Sequence, residues 1–456
     1  MKLVSHDMKT RAVFMTAFFA CLTPFSAAQA EVDFSGYIEA EARIYPDEGL
    51  LAEQRRAIAS FAVQPELSWK SDSEDHNFRF KGFARYSDKD GHRDHADIRE
   101  LYYSYANSGW QVEAGINKVY WGVVESLHLV DIINQTDYVE SVSGDDKLGQ
   151  PMISLGIEKE WGNLDIYLLP YFRERVYSTG PERFRPTMTL GGLSVDLNDH
   201  DTFYESGAER KHIDYAARWA ASYDAMDISI SYFSGTNRDP IPVVLDAMPP
   251  SFMPNRMGVY YEQLHQLGIA MQYLYEDWAF KFEGTAKHLN TGNYNSMVTG
   301  FEYTLSDLDP WGADLGLLME YLWNDRRSMN ISPLLDIFMK ENTLGAPYNT
   351  PAGVASLPQL SLMGDLMPNY LSPFENDLFF ATRFSLNDVG STQFLAGIIV
   401  DADNQTTTGS FEGSTRIGDD IRVTLNIYFF SNVDKQSAFY AVRKDSQIET
   451  RIDLYF

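Results

Sequence analysis

Apolar and polar residues alternate with a period of two through long stretches of this chain. Residues 32–45 place Phe34, Gly36, Ile38, Ala40, Ala42 and Ile44 on one face and Tyr37, Glu39, Glu41 and Arg43 on the other. Residues 59–70 set Phe61, Val63, Pro65, Leu67 and Trp69 against Gln64, Glu66 and Lys70. Residues 76–87 set Phe78, Phe80, Gly82, Ala84 and Tyr86 against Arg79, Lys81 and Arg85. Side chains two apart in a strand share a face, so each segment predicts a strand with one apolar and one charged side. The chain ends the same way, with Ile448, Thr450, Ile452, Leu454 and Phe456 alternating with Glu449, Arg451, Asp453 and Tyr455. Burying Arg79, Lys81 and Arg85 in a sandwich core would be very costly, so that face is expected to be wet. Strands with one lipid-facing and one watery face build a transmembrane antiparallel β-barrel.

Further strands are predicted near 97–106, 109–118, 152–161, 163–173, 212–223, 226–235, 262–275, 277–288, 295–305 and 313–324. The series closes with 375–387, 391–402, 406–417, 419–431 and 446–456, eighteen strands in all, with sixteen as the lower bound. An even count puts both termini on one side of the membrane. The connections test this independently. Short polar turns (71–75, 107–109, 223–226, 306–312, 387–390, 418–419) alternate with connections that include every long one: 119–151, 174–211, 235–261 and 325–374. Short periplasmic turns and long extracellular loops are the barrel pattern. Two loops are unusually apolar, 240–254 and 331–374, and are expected to pack together, to fold inward as a constriction or plug, or to form a greasy entry site.

The start of the chain reads as a cleaved signal peptide over residues 1–30. Lys2, Lys9 and Arg11 precede an apolar stretch, and Ala28-Gln29-Ala30 supplies the small-x-small site. Residues 31–456 are then one barrel domain without cysteine, since Cys21 is the only one, and disulfides have no part in its stability. Removing three basic and one acidic residue moves the formal net charge from −27 to −29, which excludes a nucleic-acid partner by repulsion from phosphate. Aromatics make up 14% of the chain, as barrels with girdles at both interfaces require.

Candidate chemistry concentrates after the fifth strand. The segment Asn117-Lys118-Val119-Tyr120-Trp121-Gly122-Val123-Val124-Glu125 is followed by Asp131-Ile132-Ile133-Asn134-Gln135-Thr136-Asp137, then Lys147-Leu148-Gly149-Gln150-Pro151-Met152 and Leu169-Pro170-Tyr171. This ordered set resembles a group of proteobacterial porin-like outer-membrane barrels, with a strand ending in Trp-Gly, an Asp-x-Ile-Asn-x-x-Asp stretch and Lys-x-Gly-x-Pro-Met. Later segments such as Trp278-Ala279-Phe280-Lys281-Phe282-Glu283, Glu320-Tyr321 and Asn376-Asp377-Leu378-Phe379 also fit. The similarity covers nearly the whole chain after residue 30 and departs from the pattern at Gln135, where proline is expected. It implies a barrel of the 18-strand class with a porin or transport role and names no substrate.

Physically, Trp121, Glu125, Asp131, Asn134 and Asp137 would narrow the lumen if their loop folds inward. Lys118 with Arg79, Lys81, Arg85 and Arg99 would form the opposing basic wall. The bland alternative is that these charges are interior ion pairs holding loop and strands together. The cluster Gly91-His92-Arg93-Asp94-His95-Ala96-Asp97 reads as a solvated charged turn, and Ser143-Gly144-Asp145-Asp146 as an acidic one. No nucleophile elbow, His-Glu-x-x-His or other catalytic pattern occurs, so neither enzyme activity nor a cofactor is expected. The sequence therefore predicts a bacterial outer-membrane channel for small, amphipathic or hydrophobic solutes. The alternative is a plugged, non-conducting barrel with an interaction or assembly role. Expected partners are outer-membrane lipid, lipopolysaccharide and, through the strand ending at Phe456, the barrel-assembly machinery.

Overall fold

The computed structural model describes residues 31–88, 93–178, 181–185, 187–190, 193–244, 247–248, 253–254, 257–308, 312–326, 330, 333, 374–435 and 437–456. The expected signal segment and nearly all of the apolar loop 331–374, apart from Pro333 and Phe374, lie outside the described residues. Eighteen antiparallel strands form the barrel wall: β1 (Glu31–Ile44), β2 (Ala57–Lys70), β3 (His76–Ser87), β4 (His95–Asn107), β5 (Trp110–Asn117) and β6 (Gln150–Lys159). They continue with β7 (Gly162–Leu169), β8 (Asp214–Tyr223), β9 (Met226–Thr236), β10 (Gln263–Tyr275), β11 (Trp278–Leu289) and β12 (Gly292–Leu308). The last six are β13 (Ala313–Asn324), β14 (Asn376–Ser385), β15 (Gln393–Asp401), β16 (Thr407–Ile417), β17 (Ile421–Ser431) and β18 (Gln447–Tyr455).

Each strand pairs with its neighbours in sequence, and β1 closes the sheet on β18 with Arg43 opposite Glu449 and Tyr37 opposite Tyr455. Closure leaves no unpaired edge, a requirement where no water can satisfy the backbone. At the seam, Gly36 and Phe456 exchange two backbone hydrogen bonds of 3.0 Å. A Cβ at Gly36 would meet the Gln64 carbonyl at 2.4 Å and the Phe456 ring at 2.9 Å, so the terminal aromatic packs where only glycine fits. The short turns 71–75, 108–109, 160–161, 224–225, 276–277, 309–312, 386–392 and 418–420 fall on the rim that carries the N-terminus of β1, while 118–149, 170–213, 237–262 and 325–375 fall on the opposite rim together with the tight turn 290–291.

The predicted faces hold. Phe34, Ile38, Phe61, Ile166, Leu267, Phe280, Phe380, Ile398 and Ile452 point outward and are exposed. An apolar belt running round a closed wall suits hydrocarbon and not water. Part of the long-loop rim folds as a second, four-stranded sheet of Thr187–Leu190, Leu193–Tyr204, Ile241–Val244 and Met257–Tyr261. There the apolar start of loop 240–254 becomes a buried strand, with Ile241 and Val243 fully inaccessible. Packing against neighbouring loop segments is thus the outcome for its described part.

Candidate functional site

The inner wall is where the expectation of a uniformly wet face fails. Loop 118–149 enters the barrel from the long-loop rim and lies on the inside of β6–β13. There Trp121, Val130, Ile132 and Ile133 pack with Met152, Tyr167, Leu169, Phe233, Leu264 and Leu289 in one buried cluster. Trp121 is 5.8 Å from Tyr167, ring centre to ring centre. The apolar inward residues of these strands are the ones that the loop covers, which makes that part of the lumen a dry core.

Two single carboxylates rising from the wall hold the loop's backbone. Glu283 on β11, with no exposed surface, accepts hydrogen bonds from the amides of Val123 (2.7 Å), Val124 (3.2 Å) and Val130 (3.2 Å). Glu320 on β13 accepts from the amides of Glu125 (2.8 Å) and Ser126 (2.9 Å) and from the Ser126 hydroxyl. Such charge-assisted bonds are about twice as strong as neutral ones. The loop also organises itself. Asp131 accepts from the amides of Trp121 (2.6 Å) and Gly122 (3.0 Å). Asn134 accepts from Val119 N–H and donates to the carbonyls of Asn117 and Leu148, tying the two ends of the loop together. Asp131 and Asn134 are therefore loop-shaping groups and do not face the opposite wall.

Glu125 reaches across to cations, though not to the ones expected from the sequence. Its oxygens meet Lys281 Nζ at 2.9 Å and Arg383 at 3.0 Å, and both cations also approach Glu302, at 3.3 and 3.6 Å. Burial alone would raise the Glu125 carboxyl, but the Lys281 hydrogen bond and the charges of Lys281 and Arg383 hold it below the usual carboxylate range.

The far end of the loop docks on β1–β4. Arg85 pairs with Glu140 at 2.8 Å and Glu39 at 2.8 Å, Arg93 with Glu41 at 2.8 Å, and Arg99 with Asp137 at 2.6 Å. Arg43 donates to the Glu140 carbonyl and Arg93 to that of Val139. Arg85 is 3% exposed and Arg99 5%, so they are not a wet wall: each buried charge is offset by an immediate partner. The Gly91–Asp97 segment is likewise not a solvated turn in its described part, because Arg93 is buried and Asp97 pairs with Arg173 at 3.0 Å. Arg99 reaches the loop through a β-bulge. Lys81 opposes Glu100 while Gly82 opposes Ile98, and the extra residue sends Arg99 and Glu100 to the same side.

Arg79 and Lys81 lie on the inner face and are less buried than Arg85 and Arg99. They alternate with Glu66 and Glu100 in a ladder of 2.7–3.5 Å contacts, and Arg79 keeps 37% of its side chain exposed. Lys118 sits under the loop, where burial and the Arg99 charge pull its ammonium below the usual lysine range. Residues to which sequence reasoning gave no role in the site are Glu140, Lys281, Glu283, Glu302, Glu320 and Arg383. The available signal was a lone inward-parity charge within an otherwise apolar strand, as in Leu317-Leu318-Met319-Glu320-Tyr321-Leu322.

No family model matches this chain, and no curated protein matches it. Among solved structures it is similar to a triple mutant of Rhodopseudomonas blastica porin, with 10% identity and a TM-score of 0.40 over 93% of this chain and 100% of that one. It is also similar to a structure described as "Asymmetric conductivity of engineered proteins", with 10% identity and a TM-score of 0.39 over 93% and 100% of the two chains. Likenesses this distant carry nothing about function.

Proposed function

We propose that the chain is an outer-membrane diffusion channel for small solutes, with loop 118–149 as its constriction. The observation that carries this reading is the double anchoring of that loop. One end is held by Glu283, Glu320 and the Glu125–Lys281–Arg383–Glu302 quartet, the other by Arg85, Arg93 and Arg99. A loop fixed to opposite walls narrows a barrel without sealing it. The inner faces of β16–β18 and β1–β4 remain largely polar, and β2–β4 carry the ladder of Arg79, Lys81, Glu66 and Glu100. Charged rings of this kind set ion selectivity at a narrow point. On this reading the short-turn rim is periplasmic, the apolar belt meets outer-membrane lipid and lipopolysaccharide, and the strand ending at Phe456 engages the assembly machinery.

The test is single-channel conductance and reversal potential of refolded residues 31–456 in planar bilayers. Stable open steps whose cation preference shifts in Arg79→Gln and Glu125→Gln are expected. Folded barrels that never conduct would overturn the proposal in favour of a closed barrel.

A further inference from the structure

One part of the lumen wall breaks the polar pattern and meets loop 118–149 only at Phe379 and Arg383. On β14 and β15, Phe379 opposes Ile399, Ala381 opposes Gly397 and Arg383 opposes Leu395. Paired residues share a face, and Arg383 touches Glu125 of the inserted loop, so all six point into the barrel. Phe379, Leu395 and Ile399 are only half-buried. Half-exposed apolar side chains inside a water-filled barrel are unfavourable, roughly 25 cal/mol for each Å² left wet, and a lumen face is ordinarily polar.

A file of aromatic rings connects this strip to the long-loop rim. Phe184 lies 6.1 Å from Phe430, Phe430 5.8 Å from Phe439, and Phe439 5.5 Å from Phe374. Phe374 and Phe379 pack against the same small cluster of Val124, Val298 and Leu322. Four residues along β14 from Phe379, the strip ends at Arg383. This is the most exposed member of its charge quartet, at 38% against 28% for Glu125, 15% for Glu302 and 9% for Lys281. Closer to the short-turn rim, Arg416 and Arg422 face each other across β16 and β17, with no carboxylate within 4 Å among the described residues. Besides Glu125 and Glu302, the acidic groups on this side of the lumen are Glu412 opposite Leu395, Asp453 opposite Arg422, and the Asp377–Asp401 pair two positions beyond Phe379 and Ile399.

We propose that the aromatic file, the Phe379–Leu395–Ile399 strip and Arg383 form a lumen subsite for amphipathic monoanions, an apolar body with one carboxylate. The body slides along the rings and the strip while the carboxylate is handed to Arg383 and then towards Arg422 and Arg416. The proposal rests on the channel reading above and deepens it by naming the class of solute.

The experiment is current block of single open channels, with probes added from the long-loop side. The probes are 4-phenylbutyrate, acetate, 4-phenylbutanol and 4-phenylbutylamine. Block by 4-phenylbutyrate and not by the other three is expected. Its apparent Kd should rise at least about tenfold, about 1.4 kcal/mol, both in Arg383→Gln and in the Leu395→Ser/Ile399→Ser double variant. Lumen substitutions of this kind act on selectivity, and retention of the heat-modifiable gel mobility of a folded barrel checks that both variants fold. Open channels blocked equally by amine and carboxylate, or blocked with unchanged Kd in the variants, overturn the subsite and leave the channel standing. Block that appears only after deletion of residues 334–372 assigns the strip to the chain's own loop and overturns the subsite too. Folded barrels with no conductance overturn both readings.

Discussion

Glu283→Gln is the substitution that most directly tests how the loop is held. Glu283 uses both oxygens: Oε1 takes the amides of Val123 and Val124, and Oε2 takes that of Val130. A glutamine of the same size keeps one oxygen and turns an NH2 group towards at least one amide donor. Three charge-assisted acceptor bonds are weakened and one or two buried amides lose their partner. With roughly 1–3 kcal/mol for each unsatisfied buried donor and about 1.5–3 kcal/mol for each bond to a charged group, not additive, the docked loop loses about 3–5 kcal/mol. That corresponds to roughly a 10²–10⁴-fold rise in the undocked population. The strand ladder is untouched, so the urea midpoint of the whole barrel should stay where it is. Hydrogen–deuterium exchange of the amides at 123, 124 and 130 should accelerate by about the same factor, and single-channel traces should gain fast flicker. Exchange within twofold of wild type across 119–131, with quiet traces, would refute the idea that a wall carboxylate pins the constriction.

Arg85→Ala should lower barrel stability by roughly 3–5 kcal/mol in urea titration, because it strands Glu39 and Glu140 as buried charges; Arg79→Ala, half-exposed in its ladder, should cost under about 1 kcal/mol and mainly alter reversal potential. Acid should undock the loop. Glu125 and Glu140 are both held below the usual carboxylate range, each raised by burial and pulled lower still by Lys281 and Arg383 or by Arg85 and Arg93. Their contribution is present above an ordinary carboxyl pKa near 4.3 and lost as pH falls through the depressed values. His128 is raised, chiefly by the Glu283 carboxylate, so its share is full below about 6.5 and lost as pH rises through the raised value. Flicker should therefore be least between about pH 5 and 6.5, and a flat profile from pH 3 to 9 would contradict this. Asn134→Leu removes three bonds at the neck of the loop and should cost roughly 2–4 kcal/mol of local stability, read as faster exchange at Val119. Phe380→Arg places a cation on the outward face in mid-strand and should cost about 2–4 kcal/mol for folding into vesicles, whereas a wall facing water would lose almost nothing.

The strands and their faces were legible in the linear pattern because a strand's period of two maps neighbours in sequence directly onto inside and outside. Residues 76–87 and 313–324 could be bounded to the residue for this reason, and the alternation of short and long connections indicated the direction of the strands. That the segment after β5 concentrates charge was equally visible. What only the tertiary structure decided is which charge meets which. Glu125 finds Lys281 and Arg383, more than 150 and 250 positions away in sequence, and Arg85 finds Glu140 in place of open water. Arg99 faces the lumen beside Glu100 only because of a bulge. The dry inner face of β6–β13 has no period of its own, since it exists only where the loop lies against it. Ion pairing and burial across a lumen depend on strand register and on where a loop comes to rest, and both are settled by packing in three dimensions, beyond the reach of any local pattern.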